Sequence, residues 1–246
     1  MNTEQKQWFE SWFDTAYYHA LYQHRNDEEA RLFIATMVMY LKLQPHQRVL
    51  DVACGKGRHS RVLHEHGLKV LGFDLSENSI NEASIYSSDE LQFKVHDMRE
   101  PLNEGSFDAA FNLFTSFGYF DRSEHDLISL RNVYHSLSDG GYFVQDYLNA
   151  EPVLNELPSK GKTEIDGVNY SWTKHFHQGQ ILKDIEVIDR QNTLNFQEKV
   201  KAYTLEELKF LHEQAGFDVK QVFGNYKLDD FDPPSSPRLI LISQKK

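Results

Sequence analysis

A chain of 246 residues, 40% of them hydrophobic, suits one elaborated domain with a full core. The formal net charge of −11, with no Lys/Arg cluster beyond the Lys245–Lys246 tail, argues against a nucleic-acid partner and makes a small-molecule ligand the default. Cys54 is the single cysteine, no apolar run reaches membrane-spanning length, and the first seven residues carry no signal-peptide pattern. A cytoplasmic protein with no disulfide and no membrane partner is therefore expected.

In chain order, residues 4–24 are dense in aromatics (Trp8, Phe9, Trp12, Phe13, Tyr17, Tyr18, Tyr22) and predict a helix and a following turn. Asp27 reads as the N-cap of a second helix running to about Leu43, which Pro45 ends. Strand and helix patterns then alternate. Strands are predicted at 48–52, 69–73, 91–95, 107–113 and 142–148, and helices at 58–66, 77–86 and 123–137. Ser76 is the expected cap of the second of these helices. Ser123 is the expected cap of the third, with Asp126 three residues on, and Gly140–Gly141 reads as the turn into the fifth strand. The rhythm breaks after Asn149. Residues 163–202 alternate like antiparallel strands around a hairpin at 178–180, and a helix at 204–215 with strands at 217–223 and 238–243 closes the chain.

The expected fold is α/β: a doubly wound, mostly parallel, Rossmann-like seven-stranded sheet with an antiparallel β flap inserted after strand five. One domain is expected over 1–246. Its parts are an N-terminal helical cover (1–44), a cofactor-binding core (45–149), the flap (150–203) and a closing helix with strands (204–246).

Chemistry concentrates at the carboxyl ends of the strands, where open parallel sheets bind ligands. Strand one runs into Ala53-Cys-Gly-Lys-Gly57, in which Gly55 and Gly57 allow close backbone approach at the start of a helix. Strand two ends at Asp74, about 20 residues on, the spacing at which an acid reads ribose hydroxyls. Strand three leads into Asp97-Met98 and strand four into Asn112-Leu113 and the loop Thr115-Ser-Phe-Gly-Tyr119.

This pattern resembles the class I S-adenosylmethionine-dependent methyltransferases of small-molecule type, with specific motifs over about residues 45–148. The resemblance implies S-adenosyl-L-methionine as cofactor. It also implies backbone contacts from Ala53, Gly55 and Gly57 to the methionine part, and ribose contacts from Asp74 with Leu75 beside it. Asp97 and Met98 would meet the adenine, and Asn112 and Leu113 the sulfonium end. Tyr18 or Tyr22 with Arg25 would bind the cofactor carboxylate, with Arg58 competing for that role. A third glycine is missing where His59 and Ser60 stand, which disfavours a pyrophosphate cofactor. A nicotinamide-dependent oxidoreductase and a non-catalytic cofactor-sensing module remain the alternatives.

The implied reaction is in-line methyl transfer to a nitrogen or oxygen of a small molecule. A hydroxyl acceptor would need a base, for which His19, His24, Tyr119, Asp146 and His175 are candidates. His175 and His177 share a strand face, but no further ligand is apparent, so no metal is expected. A monomer and a homodimer are equally compatible with the sequence.

Overall fold

The computed structural model describes residues 7–22 and 27–246. Two short helices, α1 (Trp8–Trp12) and α2 (Ala16–Leu21), open the chain, followed by α3 (Asp27–Leu41). The alternating region comprises β1 (Arg48–Val52), α4 (Arg58–Glu65), β2 (Lys69–Asp74), α5 (Glu77–Ser84), β3 (Leu91–Val95), β4 (Phe107–Asn112), α6 (Ser123–Ser136) and β5 (Leu137–Leu148). After α7 (Ala150–Asn155) come β6 (Ser159–Ile165), β7 (Val168–His177), β8 (Gln180–Asp189) and β9 (Asn192–Lys201). Helix α8 (Leu205–Ala215) and strands β10 (Phe217–Phe223) and β11 (Arg238–Lys245) close the chain. These elements form two compact units, one of Asp27–Pro152 with Tyr203–Lys246 and one of Met1–Asn26 with Val153–Ala202.

The first unit holds a seven-stranded sheet in the order β10-β11-β5-β4-β1-β2-β3, with β11 antiparallel to both its neighbours. The central strands β1 and β4 read as nearly unbroken apolar runs because helices cover both faces. Val49, Ala109, Phe111, Val144 and Ile240 join Phe33, Ile34 and Met37 of α3 in one cluster of the core. From β1 the chain builds outward through β2 to β3, then crosses back to place β4 on the other side of β1. The order thus reverses between β1 and β4, and such a switch point leaves a crevice at the carboxyl ends of the strands.

Local chemistry sets the helix ends. Ser76 accepts the N–H of Ser79, as expected of a cap. Thr204 and Glu207 form a reciprocal capping box on α8, and Gly216 ends that helix in a left-handed conformation. Two expectations fail. Helix α6 takes Arg122 rather than Ser123 as its N-cap, without a side-chain bond. Its Asp126 is buried and accepts the Tyr203 hydroxyl at 2.8 Å instead. Gly140–Gly141 lies inside β5, which begins at Leu137, where the pairing with β4 slips between Phe107 and Ala109.

The second unit holds an antiparallel sheet in the order β6-β7-β8-β9. Its first strand begins at Ser159, four residues before the expected start, and the short helix α7 was not legible in the sequence pattern. Alternation places Tyr170, Ile185 and Val187 on one face, where Trp12 and Leu21 pack with them. The Trp12 ring lies 4.4 Å from that of Phe196.

Candidate cofactor-binding site

The turn after β1 is built from left-handed backbone. Ala53, Gly55 and Gly57 have φ of 58°, 54° and 75°. The two glycines serve different needs. A Cβ on Gly57 would lie 2.6 Å from the Phe93 ring, so this residue lets the turn close on the sheet. A Cβ on Gly55 would meet nothing within 4 Å, so this backbone faces open space at the rim. A ligand could approach that backbone closely.

Asp74, the last residue of β2, ties this turn to the next strand. Its Oδ2 accepts the Gly55 N–H at 2.8 Å and its Oδ1 accepts the Ser76 N–H at 2.9 Å. A carboxylate offers about four acceptor sites, so Asp74 can hold the turn and receive ligand hydroxyls together. Leu75 follows it at the surface. Asp74 pairs in register with Val95, so Asp97 lies just beyond the adjacent strand end on the same edge.

The sequence did not reveal what Asp97 faces. Arg99 donates to both its oxygens, from Nε at 3.0 Å and from Nη2, and the Arg99 N–H adds a bond at 2.8 Å. Burial pushes the Asp97 carboxyl up, but these bonds outweigh it and hold the carboxyl below the usual range. Arg99 also stands over the Phe120 ring at 4.9 Å. Met98 is half-buried and its carbonyl accepts from Asn132. An adenine amino group at Asp97 would thus have to share a carboxylate that arginine already holds.

Asn112 ends β4, Leu113 follows it, and both are buried. The Asn112 amide faces inward and donates at 3.1 Å to the Val52 and Ser116 carbonyls, clamping the end of β1 to the β4 loop. Its Oδ1 is buried with no partner, an acceptor that an ordered water or a ligand donor would satisfy. One neighbour was missed in the sequence. Asp51 is buried on β1 and accepts the Ser60 hydroxyl at 2.5 Å. Burial raises its carboxyl to about 7, against the opposing pull of the Ser60 bond. Burial, with Asp51 and Asp74 nearby, also pushes the Cys54 thiol up, which suits a packing residue rather than a nucleophile.

The β4 loop carries the strongest backbone strain near this edge. Phe114 and Thr115 have φ of 58° and 63°, two successive non-glycine residues in the left-handed region, one of them β-branched. Each such residue costs on the order of 1–3 kcal/mol and persists only where its surroundings over-determine it. Asp146 on β5 supplies much of that determination. Its Oδ2 accepts the Phe114 N–H at 2.9 Å and its carbonyl accepts the Thr115 N–H at 2.9 Å. Arg238 Nε (2.7 Å) and the Tyr226 hydroxyl (3.0 Å) complete the carboxylate. Asp146 is a sequence candidate for a base; the structure buries its carboxylate and occupies it with three donors, one of them a guanidinium. The Tyr119 hydroxyl, another candidate, donates to the Thr115 carbonyl. The Phe114 ring packs against Arg58, 4.6 Å from its centroid, and His59, stacked at 5.1 Å.

The remaining sequence candidates belong to the flap unit or to residues outside the description. Tyr18 packs against Trp12, Phe13 and Tyr22. The Tyr22 hydroxyl donates to Glu198 at 2.8 Å and accepts from Lys183 at 2.7 Å, so its polar end is committed within the flap unit. His19 lies edge-on to Tyr18, and His175 Nδ1 is 3.4 Å from Asp184. Arg25 and His24 lie outside the described residues. Among the described residues, no group of three His, Cys, Asp or Glu is placed to hold a metal, and no helix is long and apolar enough to cross a membrane.

The comparisons with known proteins match this architecture. A family model described as a methyltransferase domain matches residues 22–222. A putative methyltransferase of Bacillus subtilis is 26% identical over 212 residues, covering 80% of this chain and 84% of its own. Human glycine N-methyltransferase is 33% identical over 128 residues, which are 44% of this chain and 43% of that protein. Among solved structures, an S-adenosylmethionine-dependent methyltransferase of Clostridium acetobutylicum superposes with a TM-score of 0.79 at 18% identity, covering 94% of this chain and 97% of that one. An amino pentose methyltransferase of Micromonospora echinaspora, solved with the cofactor bound, gives 0.73 at 18% identity, over 94% of this chain and 98% of its own. The open glycine backbone and the acid-tipped second strand fit that cofactor, and no dinucleotide reading is needed. The chain belongs to the methyltransferase-domain family and is an S-adenosylmethionine-dependent methyltransferase.

Proposed function

We propose that the enzyme methylates a nitrogen of a small-molecule amine. The observation that carries this reading is the state of the candidate bases in the sheet unit. Asp146 is saturated by donors and the Tyr119 hydroxyl is donated to a carbonyl. A hydroxyl acceptor needs a base, whereas a neutral amine brings its own lone pair. Among the relatives, glycine N-methyltransferase and the amino pentose methyltransferase act on compounds of this kind. The acidic chain and its single cysteine fit a cytoplasmic enzyme acting on a metabolite rather than on nucleic acid.

When bound, S-adenosylmethionine supplies an electrophilic sulfonium methyl. The work of the protein is alignment and exclusion of water. Gly55 leaves room for the ligand backbone, and Ala53 and Gly57 shape the same turn. Asp74 receives the ribose hydroxyls, with Leu75 beside it. Asp97 and Met98 border the adenine, and Leu113 with the backbone of Asn112 borders the sulfonium. Arg58 or Arg25 pairs with the cofactor carboxylate. The β4 loop orients the acceptor.

A panel assay with methyl-labelled cofactor tests the acceptor class. Glycine, sarcosine and amino sugars are offered beside alcohols and phenols. Turnover of an amine is expected, with a rate that rises with pH as the amine loses its proton. Labelling of hydroxyl compounds alone would overturn the nitrogen reading.

A further inference from the structure

Thr115 is held at all three of its polar groups. Its N–H goes to the Asp146 carbonyl at 2.9 Å, its Oγ1 accepts from Arg238 Nη2 at 2.9 Å, and its carbonyl accepts from Tyr119. Arg238 in turn is fixed by Asp146 at 2.7 Å, and Asp146 holds the N–H of Phe114 as well. The same two residues therefore grip both members of the left-handed pair, Phe114 and Thr115. Neither residue would choose that backbone alone, so the grip decides the conformation.

The pair does not stop at the loop. Phe114 packs on Arg58 and His59, the first residues of α4, immediately after the glycine turn. Tyr226, which also donates to Asp146, packs with its ring tilted against Phe33 of α3, 4.4 Å between centroids. A shift of Phe114 would therefore be felt at the start of α4, next to the open backbone of Gly55. Arginine suits this role because its planar fork bonds a carboxylate and a hydroxyl together and does not lose its charge.

We infer that Arg238 and Asp146 are positioning residues for the cofactor turn. They force Phe114–Thr115 into left-handed backbone and so seat the Phe114 ring against Arg58 and His59, keeping the Gly55–Gly57 turn in its cofactor-accepting shape. This rests on the cofactor placement proposed above. With the grip lost, only a fraction of molecules holds the competent turn, and apparent affinity falls by that fraction.

The test measures S-adenosylhomocysteine binding by calorimetry. Arg238→Lys keeps a charge beside Asp146 but loses the fork, and Thr115→Val removes only the hydroxyl acceptor. Arg238→Lys is expected to weaken binding by about tenfold and Thr115→Val by less. Both variants should show faster amide exchange over residues 113–119. Glycine adopts left-handed backbone without strain, so adding Thr115→Gly to Arg238→Lys should recover most of the lost affinity. A merely structural ion pair would lower thermal stability without this glycine rescue. Unchanged affinity in Arg238→Lys, or a loss that glycine does not repair, overturns the inference. Asp74→Ala measured alongside separates the failures. If it too binds normally, the cofactor placement is wrong; if it alone binds poorly, only the positioning role falls.

Discussion

The two compact units differ in what their carboxylates hold. In the sheet unit, two carboxylates grip backbone, Asp146 doing so together with the side chains of Arg238 and Tyr226. Asp74 holds Gly55 and Ser76, and Asp146 holds Phe114 and, through its carbonyl, Thr115. In the flap unit, one carboxylate grips side chains from distant sequence. Glu198 on β9 accepts the Trp12 indole N–H and the Tyr22 hydroxyl at 2.8 Å each. Lys183 donates to that hydroxyl and stands over the Tyr22 and Trp172 rings at 4.7 and 5.0 Å. Backbone gripping shapes loops for a ligand. Side-chain gripping fastens the aromatic helices α1 and α2 to one face of a sheet that would otherwise expose it.

The largest effect expected on that contrast comes from Glu198→Ala. It would take from Lys183 the carboxylate 3.8 Å away and from the Tyr22 hydroxyl and the Trp12 indole the oxygens they donate to, a loss of about 2–4 kcal/mol. Hydrogen exchange should rise across Trp8–Leu21 and β7–β9 while β1 and β4 stay protected. Equal loosening of both units would break the comparison.

A smaller effect is expected in the sheet unit from acid. His212 is buried between Ser243 and Gln145, and burial lowers its pKa from 6.5 to about 3. The unfolded chain therefore binds a proton that the folded chain refuses, so stability falls as pH drops from 6.5 towards about 3. At about pH 5 the His212 contribution is about 2 kcal/mol. His59 acts in the same direction, through burial and then Arg58. Asp51 acts in the opposite one. Its carboxyl, raised to about 7, adds stability in acid that is lost as pH rises from 3.8 to about 7. Urea unfolding of His212→Gln should show a flatter decline between pH 6.5 and 5 than the parent. An unchanged slope would assign the acid response elsewhere.

Sequence patterns showed the sheet unit well because its signals are local. The glycine turn, the acid at the end of β2 and the alternation of apolar runs with caps each span a few residues. The partners of those residues were not legible. Arg99 takes Asp97 from two positions away, a pairing that spacing does not announce. Asp146 looked like a base because its strand end faces the rim. Its true partners, Arg238 and Tyr226, come from the far end of the chain through the antiparallel strand β11 and the loop before it. Tyr22 stood out as a cofactor residue through the resemblance of its aromatic N-terminal segment, and the Glu198 that its hydroxyl meets lies 176 residues away. Long-range pairing decided these cases, and local pattern carries none of it.

The most direct test of the account is calorimetric binding of S-adenosylhomocysteine to the parent and to Asp74→Ala. Removing the acceptor proposed for the ribose hydroxyls, which also holds the Gly55 turn, is expected to weaken binding by roughly ten- to a hundredfold. Binding of the variant within twofold of the parent would contradict the placement of the cofactor at the carboxyl ends of β1 and β2.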